Sequence, residues 1–546
     1  MEGKVRFVVA SLAVLAVCVG TGSADAAPGD LVTNQVADRN PGNGSFGPDA
    51  MVRSGNNVIF YGFEPATGFE AYTSDGNSIT LIEDGIPGGG IYPGAGDSFA
   101  DYFMDVGGTT YFQADDSVNG YELWKYGGSG TASMIEDSVA GGGIRPGSAS
   151  SDAKPLGSAG GTAYFTADDG ANGTEVWQTT GGTATMLQPA GGSGGINPGA
   201  GTGSSPASGM PSGPGGSLRF FRGVNGAFYF SADDGTNGRE LWKATGDGTA
   251  TMIQSPAPGD AGINPGGSSN PSLPTEFNGA LYFKANDGRN TRLYRYGGSG
   301  DATEVLGVIP GGNNPDISGL TAIGGALYIA ADEGTEGQEL YRWDGTGTAT
   351  LVDDADPAPG IRPGTEPAGT ADLTDVNGTI FFSAVDGSHG AELWKLTGPT
   401  TAALVKDIDP GDDDMDTFPD NSLPQRLVSF NGNLFFSADD GVAGRELWKS
   451  DGTAAGTAMV SDITLGPLAG NPRNITPLDN LLLFSATELS SGTELWKVSI
   501  EPAPVAPPGV TPTEPLKTPK TKRKCKRKKH KKVAAPAKKC KKKRKG

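Results

Sequence analysis

A pattern of fourteen or fifteen residues recurs along almost the whole chain: an aromatic strand, a turn rich in Asp and Gly, then Glu-Leu-Trp-Lys or a close variant. Clear copies are YFQADDSVNGYELWK (111–125), YFTADDGANGTEVWQ (164–178), YFSADDGTNGRELWK (229–243) and YFKANDGRNTRLYR (282–295). YIAADEGTEGQELYR (328–342), FFSAVDGSHGAELWK (381–395), FFSADDGVAGRELWK (435–449) and LFSATELSSGTELWK (483–497) follow. A divergent first copy is IFYGFEPATGFEAYT (59–73). A period near fifty residues means that one supersecondary unit is stacked many times, so the repeat must be read before any motif inside it.

Each unit carries four strand-like pieces. In the copy at 432–479 these are Asn433–Ala438, Arg445–Lys449, Thr457–Ile463 and a piece near Asn474–Leu478, divided by turns such as Asp451-Gly452-Thr453. Gly and Asp accept the positive φ that tight hairpins need. No stretch keeps a helical period. Four antiparallel strands per unit of this length are the mark of a β-propeller blade, so the chain is expected to be all-β. Leu31–Ala37 and Ala50–Arg53 read as the third and fourth strands of a unit, and the chain runs out after a first and second. Pooling them into one composite blade closes the ring and hides two sheet edges. Eight whole units and the composite make nine blades; eight blades, or two smaller rings, are the alternative counts.

The stretch GRELWKSDGTAAGT (444–457) resembles the signature of the bacterial ELWxxDGT repeat proteins. Glu446-Leu447-Trp448 and Asp451-Gly452-Thr453 match closely. Glu392-Leu393-Trp394 lacks the DGT, and Asp344-Gly345-Thr346 follows Tyr341 rather than a tryptophan. The resemblance covers about residues 31–500. It implies an exported, propeller-like repeat protein and carries no established activity with it.

The two ends differ from the body. Lys4 and Arg6, the apolar run Phe7–Gly20 and the small residues of Ala24-Asp25-Ala26 predict a secretory signal over 1–26. Leu15-Ala16-Val17-Cys18 is a poor lipoprotein box because Val17 is bulky, and no later segment is apolar for long enough to cross a bilayer. Residues 27–500 form the propeller region, 501–516 a Pro-rich linker and 517–546 a basic tail. The tail holds eighteen Lys and Arg and no acid, so the chain total of −20 leaves −38 on residues 1–516. Like charges repel, and the tail is expected to be disordered behind a stiff spacer. Lys522, Arg523, Lys524, Lys526, Arg527, Lys528 and Lys529 are its densest run. Its expected partners are anionic cell-envelope polymers, at the surface or in the secreted state. Nucleic acid is disfavoured, because the acidic body would be repelled by it. Cys525 and Cys540 leave a tail disulfide or a link between chains open, whereas the body has no cysteine.

Repetition also weighs the chemistry. Trp124, Trp177, Trp242, Trp394, Trp448 and Trp496 fill one slot, and such a slot suits packing between blades better than sugar stacking. Glu122, Glu175, Glu240, Glu392, Glu446 and Glu494 fill another, where the fifth unit has Arg292 instead. A residue needed by every blade reads as a structural contact to backbone or lysine. Asp439 and Asp440, like the other paired acids, read first as turn formers and second as a structural Ca²⁺ staple. The single run Asp412, Asp413, Asp414 and Asp416 is the other cation candidate. His389 is the body's only histidine, which argues against a Ser-His-Asp site. No catalytic residue and no cofactor beyond Ca²⁺ is expected. The resulting reading is a non-enzymatic exported scaffold presenting loops to a protein or glycan. A propeller-type glycosidase or lyase, and a structural surface or matrix protein, are the alternatives.

Overall fold

In the computed structural model, residues 31–500 are described apart from 87–88, 139–142, 190–191, 193–194, 198–221, 257–261, 311–314, 333–337, 354–361, 364–372, 386–388 and 412–419. The signal, linker and tail, Asp412–Asp416 and most of the 191–217 insertion therefore lie outside the described residues. Strands are the only regular structure among those described, and they form nine sheets arranged as a propeller. Blade 1 is Asp49–Ser54, Asn57–Glu64, Gly68–Ser74 and Ile79–Leu81, hydrogen-bonded in that order. Blades 2 to 8 repeat this antiparallel path. Blades 4 and 7 each gain a two-residue strand, Gln188–Pro189 and Arg362–Pro363.

The phase of the unit differs from the expectation. Arg473–Leu478 belongs not to the blade before it but to the next one, because it pairs with Leu481–Glu488 across a two-residue turn. Each blade therefore begins one strand earlier than the aromatic strand suggests. The composite blade 9 is correspondingly three strands from the C-terminal side, Arg473–Leu478, Leu481–Glu488 and Gly492–Ile500, plus Leu31–Ala37. Asp49–Ser54 starts blade 1 and is not a member of the composite blade. The seam is antiparallel, from Leu31 against Ile500 to Ala37 against Leu495.

The aromatic second strands, buried on both faces, hold the ring together. Nine hydrophobic clusters occur, one for each blade-to-blade interface. Between blades 2 and 3, Tyr111, Leu123, Ile135 and Ile144 meet Phe165 and Trp177. Between blades 9 and 1, Leu483 and Leu495 meet Phe60 and Tyr72, which closes the circle. Burying each such side chain is worth ~1.5–3 kcal/mol. The tryptophans sit on the preceding blade: Trp448 packs on Phe381 and Leu393, and Trp242 on Leu156 and Val176. The indole N–H of Trp124, Trp177, Trp242 and Trp496 donates to the carbonyl of an alanine ten residues earlier.

A second device clasps blade to blade. The lysine ending the Glu-Leu-Trp-Lys slot reaches the turn between third and fourth strands of the following blade. Lys243 Nζ donates to the Gly298 carbonyl at 2.7 Å, Lys395 to that of Gly452 at 2.7 Å, and Lys497 to that of Gly76 at 2.8 Å, across the seam. Lys125 does the same to Gly181, and Gln178 replaces it towards Gly246.

The antiparallel path puts two kinds of loop at one end of the ring: turns between second and third strands, and links from each fourth strand to the next blade. Among the described residues, nine of the ten exposed large hydrophobic side chains lie on this end, including Val442, Leu465, Leu468 and Leu489. Ile500 alone lies at the other.

Candidate functional site

The repeated glutamate is a structural post. Glu70, Glu122, Glu175, Glu240, Glu392, Glu446 and Glu494 are fully buried. Glu122 Oε2 accepts from Ile144 N at 2.9 Å and from the Ser151 hydroxyl at 2.8 Å, and Oε1 accepts from Ser151 N at 3.1 Å. Both partners lie in the link to blade 3. Glu392 holds Ile408 N and Ser422 in the same way, and Glu494 takes Phe46 N beyond the seam. A link glycine lies against the carboxylate: a Cβ on Gly143 would stand 2.5 Å from the Glu122 side chain. Its φ of +80° adds a second reason for glycine.

Burial pushes the carboxyl of Glu70 up to about 8 and those of Glu122, Glu392, Glu446 and Glu494 to about 7, against the opposing pull of the N–H donors. A folded value above the unfolded one means that the folded ring holds these protons more tightly. The stability they contribute is complete below the ordinary value of 4.5 and is lost as the pH rises through 7 to 8. Opposing them, Asp75 is lowered by the Asn77 N–H, and Asp247 and Asp451 by threonine hydroxyls. Their contribution is lost only as the pH falls through values under 3.8. The melting temperature is therefore expected to be highest near pH 5 and to fall towards pH 8. A melting series that is flat or rising over that range would overturn this assignment.

The paired acids cap turns. Asp439 Oδ1 accepts from Gly441 N at 3.0 Å, and Asp440 Oδ1 from Val442 N at 3.0 Å and Ala443 N at 2.7 Å. Asp116, Asp169 and Asp234 repeat the arrangement. Among the described residues no group of three or more His, Cys, Asp or Glu is placed to hold a metal ion. His389 is half-buried in its turn.

The place where the repeat breaks is the mouth of the central channel. The first strands of successive blades lie beside one another around the ring, as Asp49–Ser54 does with Asp101–Val106 and with Arg473–Leu478. They therefore line its centre. Their opening residues, at the loop-bearing end, follow no rule: Asp49, Asp101, Lys154, Ser272, Asp316, Gln425 and Arg473. Most of these strands are bulged just after that residue, and in five the bulge carries a non-glycine residue at positive φ: Ala50 (54°), Tyr102 (58°), Leu273 (56°), Arg426 (56°) and Asn474 (53°). Such backbone costs about 1–3 kcal/mol per residue and re-aims a side chain.

One sector of the mouth, across blades 9, 1, 2 and 3, gathers the chemistry. Asp49 Oδ1 accepts from Ala50 N at 2.9 Å and from Asn474 Nδ2 at 2.6 Å. Asp101 Oδ1 accepts from Tyr102 N at 2.7 Å, and Lys154 Nζ stands 5.5 Å from the Tyr102 ring centre. Burial raises the Asp101 carboxyl, with Asp49 adding to it and Lys154 opposing. Burial, then Asp49 and Asp101, push the Tyr61 hydroxyl up to about 12. The sector thus offers a carboxyl that titrates late, a tyrosine held neutral and a lysine, within reach of the channel. Sequence reading passed over these residues because nothing repeated marks them. The signal was their variation at a fixed offset before each aromatic strand.

No family profile and no curated protein matches this chain. Several solved structures resemble it. A prolyl endopeptidase structure covers 65% of this chain and 50% of its own, at 13% identity and a TM-score of 0.35. Puromycin hydrolase covers 76% and 61%, at 14% identity and 0.30. PorZ, a surface component of the type-IX secretion system of Porphyromonas gingivalis, covers 82% and 62%, at 12% identity and 0.34. The chain thus spans half to about three fifths of those solved chains. The likeness is one of propeller fold. Prolyl endopeptidase and puromycin hydrolase are enzymes, which runs against the expectation of a non-enzymatic scaffold, and at these TM-scores the likeness assigns no activity to this chain.

Proposed function

We propose that this protein is an exported repeat propeller of the ELWxxDGT kind, retained on an anionic envelope polymer by its basic tail, whose working face is the channel mouth. The observation that carries the reading is the separation of charge: −38 on residues 1–516 against eighteen positive charges from Lys517 onward. Opposite blocks on one chain attract a polyanion at one end only and hold the acidic ring away from it.

Full-length protein is expected to stay on an immobilised polyanion such as polyphosphate at low salt, and to be released near 1 M salt, where the Debye length falls to ~3 Å. Removing 517–546 should abolish retention. Equal retention without those residues would sink the proposal. The mouth is tested separately, by screening full-length protein for binding and turnover of peptides and oligosaccharides. Whatever is bound or turned over should be lost in Asp101→Asn and Lys154→Met at unchanged melting temperature. A ligand indifferent to both would place the working site elsewhere.

A further inference from the structure

The fifth blade breaks the rule of the buried glutamate, and a cavity opens where it does. In seven blades, those of Glu70, Glu122, Glu175, Glu240, Glu392, Glu446 and Glu494, the carboxylate draws in the link to the next blade by accepting its N–H groups; in blade 5 the slot holds Arg292, which has no acceptor to offer. Its Nε instead donates to Glu304 Oε1 at 2.9 Å, and Asn290, with its amide oxygen turned inward, accepts from Nη2 at 3.0 Å. Gly307, just ahead of Val308 and Ile309, faces open space where a Cβ would stand, and Leu306 is 73% exposed. Between this link, the Arg292–Glu304 pair and Ile317 at the start of blade 6 lies a cavity of about 290 Å³.

Its walls are aliphatic, from Val305, Val308, Ile309 and Ile317, with one cation and one anion side by side. Both charged side chains keep some exposure, 21% for Arg292 and 29% for Glu304, so neither is sealed from a ligand. A planar guanidinium fixed by two partners is a pre-set carboxylate receptor. The adjacent Glu304 carboxylate suits an ammonium group. We propose that this cavity binds a zwitterionic α-amino acid with an apolar side chain. Its carboxylate would lie on Arg292, its ammonium on Glu304, and its side chain against the aliphatic wall. The volume suits leucine or phenylalanine and leaves little room for a longer peptide. The site lies in a different sector of the ring from Asp49, Asp101 and Lys154 and does not depend on the reading given to them.

The test is ligand-observed NMR on the full-length protein with leucine and phenylalanine, alongside N-acetyl-leucine and leucinamide, which lack the ammonium and the carboxylate respectively. The free amino acids are expected to bind, and each blocked form to bind at least tenfold more weakly. Arg292→Glu restores the residue used by the other blades, so the ring should fold while binding is lost. Arg292→Gln, which removes the charge without adding a second acid beside Glu304, should lose binding as well. Undiminished leucine binding in both variants, equal binding of the blocked forms, or no binding of either amino acid to the unaltered protein would each overturn the proposal.

Discussion

Glu122→Ala is expected to lower the folding stability by about 4 kcal/mol, read as a shift of the urea midpoint at unchanged slope. The carboxylate is fully buried and takes three donors, Ile144 N, Ser151 N and the Ser151 hydroxyl, at 2.8 to 3.1 Å. Alanine strands all three, and an unsatisfied buried donor costs ~1–3 kcal/mol. It also leaves a void against Gly143, where no larger residue can grow in from the link. Glu122→Gln keeps one acceptor oxygen and should lose about half as much. The same pair of substitutions at Glu392, which holds Ile408 and Ser422, should give the same order. A loss under ~1 kcal/mol at both sites would show that the links are held by packing alone.

Deleting Leu31–Ala37 is expected to open the ring. The strand supplies the fourth member of blade 9, and its loss leaves Gly492–Ile500 as a bare edge. Val36 and Ala37 also leave the cluster that joins blades 9 and 1, and Leu31 the one that joins blades 8 and 9. Several kcal/mol should go, with a melting temperature lower by about 10 °C or more. The exposed edge should favour self-association. Hydrogen exchange should quicken first in 473–500. A synthetic peptide of residues 27–40 should restore the melting temperature by refilling the edge, which a merely misfolded variant could not show. An unchanged melt without the strand would refute the seam.

Most of the ring was legible in the sequence because packing demands the same residues at every interface. Aromatic strands such as Phe435-Phe436 and the tryptophan slot repeat for that reason, and counting them leads to nine blades. The phase was misread because the innermost strands carry little of that pattern. They face the channel on one side, so Arg473–Leu478 looks like a tail of the unit before it rather than the start of the next. The partner of the glutamate slot was also hidden. It is the backbone of a Gly-Ile link some twenty to thirty residues on, as with Glu122 and Gly143-Ile144, and backbone N–H groups leave no letter in a sequence. The Arg292 exception was visible in the alignment of units. Its meaning was not, since a cavity follows only once the role of the glutamate it replaces is known.

The seam has a kinetic side. Within blades 1 to 8 most strand pairs join residues close in sequence, and each such sheet can form as soon as its own segment is available. Leu31 and Ile500 must meet across nearly the whole length of the body. Closing so long a loop is slow, and folding rates fall as contacts become less local. The ring's first strand in chain order is thus the last to be satisfied. Until Gly492–Ile500 arrives, Leu31–Ala37 has no neighbour, and the time to a finished ring is set by one seven-residue segment waiting for its mate.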